Sequence, residues 1–259
     1  MRRVHFTDKY LINPQHPVTV NLVGAGGTGS QVLTCLARLD VTLKALGHPG
    51  LFVKLYDADE VTEANIGRQL FGYSDFGLNK AVCLITRVNN FFGNNWKAIP
   101  QLFAVSSNDC IANITITCTD NVKSRLDMWK YLISVRADRY QTDYSTPLYW
   151  MDFGNAQTTG QVIIGTVQKK IPQPESRIYK TVESLKVITQ YVKYSTMKVN
   201  ASGPSCSLAE ALHKQDLFIN STLAQLGCNI LWKMFRNGYI EHQGLYLNLD
   251  TLKVNPIPV

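Results

Sequence analysis

A glycine-rich turn near the N-terminus has the residue types and spacing of an anion-binding loop. The segment 24–29, GAGGTG, follows a short run of β-branched residues and opens a stretch with helical periodicity. Glycines let the backbone turn tightly and come close to a phosphate, and the N–H groups at a helix start favour anions. The turn therefore predicts a nucleotide-binding loop formed by Gly24, Gly26, Gly27 and Gly29. A glycine turn that binds no ligand is the structural alternative.

Acidic, basic and amide side chains follow where the carboxyl ends of the next strands are expected. Asp57 ends the second predicted strand, where an acid can accept hydrogen bonds from ribose hydroxyls. Asn65, Arg68 and Lys80 are expected at the same rim of the sheet, and a later strand there ends at Asp120. A triphosphate with Mg²⁺ needs such an array, because its charge must be neutralised before a nucleophile can approach phosphorus.

The elements that position these residues alternate along the first half of the chain. Strands are predicted at 18–24, 51–57, 99–105 and 114–120, and helices at 28–46, 78–92 and 121–136. Strand, helix, strand, repeated, is typical of a parallel sheet covered by helices. The sequence predicts an α/β fold with a Rossmann-like, doubly wound, mainly parallel sheet and helices on both faces.

The second half of the chain has a different pattern. Residues 147–154 and 160–167 are predicted to form two strands with a hairpin-like connection, followed by a mobile loop near 169–205. Helical periodicity returns at 208–235 and stops at an Asn-Gly pair. The tail alternates around a Leu-Asp-Thr turn, which predicts a C-terminal β-ribbon. We expect one domain over 1–259, with a nucleotide-binding core at 18–136 and a C-terminal half at 147–259.

Composition narrows the class of protein. With 45% hydrophobic and 17% charged residues, the 259-residue chain is not expected to be largely disordered. The net charge of +7 is spread without a long run of one sign, so nucleic-acid binding is not predicted. We expect no membrane span and no signal peptide, because no apolar stretch is long enough. The six cysteines lack paired spacing, which favours reduced thiols in a cytoplasm.

Four motifs, in order and at their spacing, resemble the ThiF/MoeB/HesA family, whose nucleotide-binding fold is shared with ubiquitin-activating enzymes. They are GAGGTGS at 24–30, DADEVTEANIGRQ at 57–69, GLNKA at 77–81 and TCTDNVKSR at 117–125. The resemblance runs from about Val18 to Arg125 and more loosely to Phe235. The block at 204–224 further resembles ThiF-type proteins of plasmid PRTRC gene clusters.

The resemblance implies a site for ATP and Mg²⁺. The four glycines bind the nucleotide and Asp57 takes the ribose. The phosphates are held by Asn65, Arg68 and Lys80, and Asp120 positions the metal ion. Arg68, Lys80 and Asp120 are thus the expected catalytic residues.

Four further motif residues have less direct roles by the same resemblance. Asn121 and Arg125 organise the loop that follows the fourth strand. Asp59 either contacts metal or phosphate or accepts backbone hydrogen bonds at the strand end. Gln69 either contacts the nucleotide or is a structural neighbour of the preceding arginine.

The implied reaction joins a carboxylate to AMP and releases pyrophosphate. In the family, the carboxylate is typically the C-terminal glycine of a small β-grasp, ubiquitin-like protein, and a conjugating enzyme can follow. A C-terminal carboxylate, with a reference pKa of about 3.3–3.7, is already ionised at neutral pH and needs no general base. The obstacle is repulsion between two anions, which Arg68, Lys80 and the metal ion would reduce.

Cys206 is the thiol that could accept the activated acyl group. It lies in a loop expected to run into a helix, where a thiol pKa can be lowered. A small residue packed at a loop-to-helix junction is the alternative interpretation. The sequence contains no C-x-x-C, so we expect no zinc site of the kind many relatives carry.

The N-terminus departs from the family, and rival functions stay open. Relatives carry an N-terminal helix with an arginine directed at the phosphates, whereas here about 17 residues precede the first predicted strand, with Arg2 or Arg3 as the substitute. A homodimer is expected from the family. One alternative is an NAD(P)-binding oxidoreductase, which the glycine loop and Asp57 would suit. Another is a non-catalytic nucleotide-binding module in plasmid maintenance.

Overall fold

The computed structural model describes residues 1–103, 111–136, 143–192 and 215–259. The helices of four or more residues in these ranges are α1 (Lys9–Ile12), α2 (Gly27–Ala45), α3 (Lys80–Phe92), α4 (Val122–Val135), α5 (Ile188–Tyr191) and α6 (Ile219–Asn237). The strands are β1 (Arg2–Phe6), β2 (Val18–Val23), β3 (Leu51–Tyr56), β4 (Lys97–Ile99), β5 (Ile114–Thr117), β6 (Tyr149–Asn155), β7 (Thr159–Thr166), β8 (Tyr179–Thr181), β9 (Tyr239–Ile240), β10 (His242–Asn248) and β11 (Lys253–Pro258). Short 3-10 turns lie at Glu63–Asn65, Tyr73–Asp75 and Asp143–Ser145.

The main sheet has eight strands in the order β11-β10-β7-β6-β5-β2-β3-β4. The five strands from β6 to β4 are parallel to one another, and β7, β10 and β11 extend the sheet with antiparallel pairs. At its centre, Val20 of β2 pairs with Val53 on one side and Ile114 on the other. The predicted α/β class and mainly parallel sheet are confirmed.

Helices cover both faces of this sheet, and the side-chain alternation of the strands explains how. All six residues of β2 are buried, as expected for a central parallel strand. Val20 and Leu22 pack on the face that carries α2, α3 and α6, whereas Val23 packs on the face of α4 and α5. Each successive residue thus enters a different core layer.

The bounds of β4 and of the last helix differ from the sequence prediction, whereas the C-terminal ribbon agrees with it. β4 spans Lys97–Ile99 rather than the expected 99–105, because β3 ends at Tyr56, which pairs with Ile99; residues 104–105 lie outside the described residues. The described part of the last helix starts at Ile219, and the turn at 215–218 before it is not helical; residues 208–214 lie outside the described residues. The C-terminal ribbon is present as β10 and β11, and it forms the edge of the main sheet.

A second, three-stranded sheet of order β8-β1-β9 was not predicted. Its strands are short, and β1 begins with two exposed arginines, so no alternation marks it in the sequence. The pairing is long-range: Arg3 faces Lys180 in parallel β8, and Phe6 faces Tyr239 in antiparallel β9. The loop expected near 169–205 therefore contains β8 and α5, residues 193–205 lie outside the described residues, and the predicted mobility stays a prediction.

Candidate functional site

The glycine turn leaves an open approach to the start of α2. Gly24 has a φ of 96°, and a Cβ there would lie 2.9 Å from the carbonyl oxygen of Cys118, so only glycine fits. Gly29 packs against the carbonyl of Gly24. At Gly26, the N-cap of α2, a Cβ would meet no atom of the described residues within 4 Å. An uncapped helix start beside open space is a suitable anion site.

Asp57 connects the glycine turn to the loop that follows β3. Its Oδ2 accepts the N–H of Ala25 at 2.6 Å, and its Oδ1 accepts the N–H of Asp59 at 2.9 Å. Burial raises the pKa of Asp57, although these two hydrogen bonds and nearby Lys80 act in the opposite direction. The carboxylate is half-buried, and its remaining lone pairs can accept hydrogen bonds from a ligand.

A cavity of about 390 Å³ lies between the loop that follows β3 and the start of α3. Its lining consists of Asp59, Glu60, Thr62, Ala64, Asn65, Arg68 and Lys80. The structure thus brings together four of the residues singled out in the sequence, two cations among them. Asp57, Gln69, Asp120, Asn121, Arg125 and the four glycines do not belong to this lining.

Lys80 is held at the first position of α3 by Asp59. Its Nζ lies 3.0 Å from Asp59 Oδ2, and its N–H donates to the Asp59 carbonyl at 2.9 Å. Only 7% of Lys80 is exposed, whereas 71% of the Asp59 side chain is. The ammonium is therefore already paired before any ligand arrives.

Arg68 is half-buried and has a different kind of partner. Its Nη1 donates to Oε1 of Gln215 at 2.5 Å, and its buried Nε has no hydrogen-bond partner among the described residues. Burial lowers the pKa of Arg68. A buried donor without a partner is costly unless a ligand completes it.

The two amide residues near Arg68 are engaged in different ways. Asn65 Oδ1 accepts the N–H and the hydroxyl of Thr62 at 2.9 and 3.1 Å, which leaves its Nδ2 to reach a ligand. The N–H of Gln69 donates to the Asn65 carbonyl at 2.9 Å, and its buried Oε1 has no partner in the described part of the chain.

Asp120 lies in the loop after β5, next to residues that are held in place by hydrogen bonds. Asn121 is the N-cap of α4 and accepts the N–H of Ser124 at 2.7 Å. Arg125 is buried, with its Nε 3.0 Å from both oxygens of Asp152. Its Nη2 donates to the carbonyl oxygens of Thr119 and Phe153. Asp120 itself is exposed.

The remaining candidate residues lie elsewhere or outside the described residues. Cys206 is outside them. Of the described cysteines, half-buried Cys118 has its pKa raised by desolvation, and the pKa of Cys228 is raised by its hydrogen bond with Cys35 and by burial. Arg2 pairs with Glu241 at 3.6 Å, and neither Arg2 nor Arg3 lines the cavity. In the described ranges no group of three metal-ligating side chains occurs, and no helix there is long and apolar enough to span a bilayer.

Sequence reasoning missed the amide side chains behind Arg68. Gln215 lies just before α6 and Asn220 lies in its first turn. The sequence predicted a helix over 208–235, and polar residues in a predicted helix suggest a solvated face. Asn155 ends β6 at the same rim as the other site residues, and this position alone could have marked it. The three side chains are bonded to one another.

A mainly parallel sheet and a glycine turn that opens α2 define a Rossmann-like α/β protein. The chain belongs to the ThiF family, whose family model matches residues 16–254. A comparison of the sequence with curated proteins finds no match.

Solved structures share this fold at low sequence identity. PaaA aligns with a TM-score of 0.56 and 15% identity, over 93% of this chain and 64% of its own. MccB from E. coli with ATP aligns with a TM-score of 0.60 and 14% identity, over 96% of this chain and 64% of its own. MccB with AMPCPP and MccA aligns with a TM-score of 0.60 and 14% identity, over 93% of this chain and 63% of its own. The chain thus spans 63–64% of the length of these solved chains.

Proposed function

We propose that this chain is an ATP-dependent activating enzyme that adenylates the C-terminal carboxylate of a small ubiquitin-like protein. The observation that carries the proposal is a cavity lined by Lys80 and by Arg68, whose buried Nε has no partner among the described residues. Membership of the ThiF family supports it, as does the shared fold with MccB, which has been solved with ATP and with MccA.

The arrangement suits a nucleotide triphosphate. The open side of Gly26 leaves room for phosphate at the start of α2, and the buried Nε of Arg68 supplies a donor that a phosphate oxygen would satisfy. In the proposed complex Asp57 accepts the ribose hydroxyls, and Asn65, Arg68 and Lys80 hold the phosphates. Gln69 borders this set through its bond to Asn65.

A magnesium ion fits the donor chemistry of the rim. Mg²⁺ bound with a nucleotide takes one or two carboxylates, with phosphate oxygens and water completing its shell. Asp120 is exposed and is carried by a loop that Asn121 and Arg125 fix. We assign it as the carboxylate that holds the ion, and the ion would reduce the charge of the phosphates.

The proposed step balances without a general base. A carboxylate oxygen of the partner attacks the α-phosphorus, and the bond from that phosphorus to the bridging oxygen of pyrophosphate breaks. The products are an acyl adenylate and pyrophosphate. Arg68 and Lys80 lower the repulsion between carboxylate and triphosphate and stabilise the charge that develops on the phosphate oxygens.

A later transfer to Cys206 forms the second part of the proposal. The Cys206 thiolate would displace AMP from the adenylate and form a thioester, which a conjugating enzyme could receive. Cys206→Ser should still form the adenylate but lose a reductant-sensitive conjugate. A conjugate that survives in Cys206→Ser would move the acceptor role elsewhere. A homodimer in the cytoplasm, encoded within a PRTRC cluster, is the setting we propose.

The test uses small proteins with a C-terminal glycine that are encoded beside the gene. Each is mixed with the full chain and MgATP, and intact-mass spectrometry searches for a partner that has gained AMP. The same partner with a C-terminal carboxamide is the matched control and should stay unmodified, because it lacks the nucleophile. Nucleotide binding without any partner-dependent adenylate or pyrophosphate release would contradict the proposal and favour the non-catalytic module.

A further inference from the structure

Three side-chain amides close a hydrogen-bonded ring next to the cavity, which we call the amide ring. Asn155 Nδ2 donates to Asn220 Oδ1 at 2.8 Å, and Asn220 Nδ2 donates to Gln215 Oε1 at 3.4 Å. Gln215 Nε2 closes the ring by donating to Asn155 Oδ1 at 3.3 Å. Turning over any one amide alone would set donor against donor and acceptor against acceptor, and the bond from Arg68 to Gln215 Oε1 selects one of the two directions of the ring.

The amide ring joins the start of α2 to Arg68. The Thr28 hydroxyl donates to Asn220 Oδ1 at 2.8 Å, and the Asn220 amide lies so close to Gly27 that a Cβ there would be 2.6 Å from it. On the other side, Arg68 Nη1 donates to Gln215 Oε1. The ring therefore fixes the guanidinium relative to the glycine turn, although the two are far apart in sequence.

The amide ring carries no charge, so the partner of Arg68 is neutral, whereas the partner of Lys80 is charged. Lys80 is paired with the carboxylate of Asp59 at 3.0 Å. None of the ion pairs between described residues involves Arg68. A neutral oxygen fixes a guanidinium by hydrogen bonding without cancelling its charge, whereas a carboxylate would do both.

We propose that the amide ring, acting through Gln215, is the positioning device that holds Arg68 ready for a triphosphate, with its charge uncompensated by any carboxylate of the described residues. This inference rests on the proposed ATP site and adds a specificity element to it. Gln215 is the positioning residue, and Asn155 and Asn220 fix its orientation. The device favours ligands with phosphates over the uncharged nucleoside.

The decisive variant is Gln215→Glu, which keeps the side-chain size and the acceptor for Arg68 but adds a negative charge. We expect its Kd for MgATP to rise by roughly tenfold or more, since one charge-assisted contact is weakened. The Kd for adenosine, which carries no phosphate, should not change. Gln225→Glu adds the same charge at an exposed position of α6 and should leave both constants unchanged.

A second variant keeps the test valid if Gln215→Glu does not fold, as judged by circular dichroism. Gln215→Met removes both the acceptor for Arg68 and the donor to Asn155 without adding charge, and it should weaken MgATP binding relative to the wild type without affecting adenosine. A ratio of ATP to adenosine affinity equal to that of the wild type in the folded variants would overturn the inference. A wild-type chain that binds no ATP would instead overturn the proposed function, and the inference with it.

Discussion

Arg125 and Arg68 both lie near the carboxyl edge of the parallel strands, but their surroundings differ in kind. Arg125 is buried against the carboxylate of Asp152, which also accepts the Thr117 hydroxyl at 2.6 Å. Its hydrogen bonds to Thr119 and Phe153 complete a closed cluster. Arg68 instead has a neutral partner, a buried Nε without one among the described residues, and a cavity beside it.

This difference separates a structural cation from one prepared for a ligand. A buried ion pair whose donors are satisfied gains nothing from binding an anion, and removing one partner leaves an uncompensated charge. A cation held by neutral amides keeps its field and an unmet hydrogen bond, which an anion can satisfy. Charge alone does not distinguish the two arginines, whereas their hydrogen-bond partners do.

The largest expected effect is on stability, and it concerns the structural arginine, Arg125. Arg125→Ala should lower the free energy of unfolding by about 3–5 kcal/mol, because it leaves the buried Asp152 carboxylate unpaired. Urea unfolding followed by circular dichroism measures it, with Lys123→Ala on the exposed face of α4 as the control. A loss equal to that of the control would remove the distinction between the two arginines.

The next effect concerns activity without stability. Arg68→Ala and Asp120→Ala should each lower partner-dependent ATP–pyrophosphate exchange by about 10²–10³-fold, the usual result of losing one charge-stabilising group. Both variants should unfold at the wild-type urea concentration. Arg38→Ala, on the exposed face of α2, controls for loss of an arginine. Exchange at the wild-type rate in either variant would remove that residue from the site.

A smaller effect extends the comparison to His5, another buried and fully paired group. Its Nδ1–H donates to the Val182 carbonyl at 2.6 Å, and its Nε2 accepts the Tyr149 hydroxyl at 2.9 Å, so the neutral ring fits. Burial lowers the pKa of His5, and the Val182 bond offsets only part of this shift. Because the folded pKa lies below the unfolded value of about 6.5, the stability contribution is present above pH 6.5 and is lost as pH falls.

Denaturant melts between pH 7.5 and 5 measure this contribution. As the pH falls, the free energy of unfolding of the wild type should decrease by up to about 1.4 kcal/mol per pH unit more than that of His5→Gln. The glutamine amide can offer one donor and one acceptor but does not titrate in this range. Parallel pH profiles for the two proteins would show that His5 is not the group responsible.

The central part of the fold could be predicted because its signals are local. The glycine turn, the apolar run of β2 and the periodicity of α2 each fit within one stretch of sequence, and the structure has them within a residue or two of the expected bounds. β1 could not be predicted in this way, since its partners β8 and β9 lie far along the chain and its own residues show no alternation.

The candidate site, like the fold, could be predicted from the sequence only in part. Arg68 and Lys80 stand in motifs that the sequence displays, so their presence at one rim could be expected. What holds each of them could not, because Lys80 finds Asp59 21 residues away whereas Arg68 finds Gln215 at a separation of 147 residues. No local sequence pattern predicts that the partner of Lys80 is charged and that the partner of Arg68 is neutral.

Calorimetric titration of the wild type and of Arg68→Ala with MgATP and with NAD tests most directly whether the cavity is a triphosphate site. We predict that the wild type binds MgATP, that Arg68→Ala binds it at least tenfold more weakly, as expected when a charge-assisted contact is lost, and that neither binds NAD comparably. Tighter binding of NAD than of MgATP, or equal MgATP affinity in the two proteins, would contradict this account.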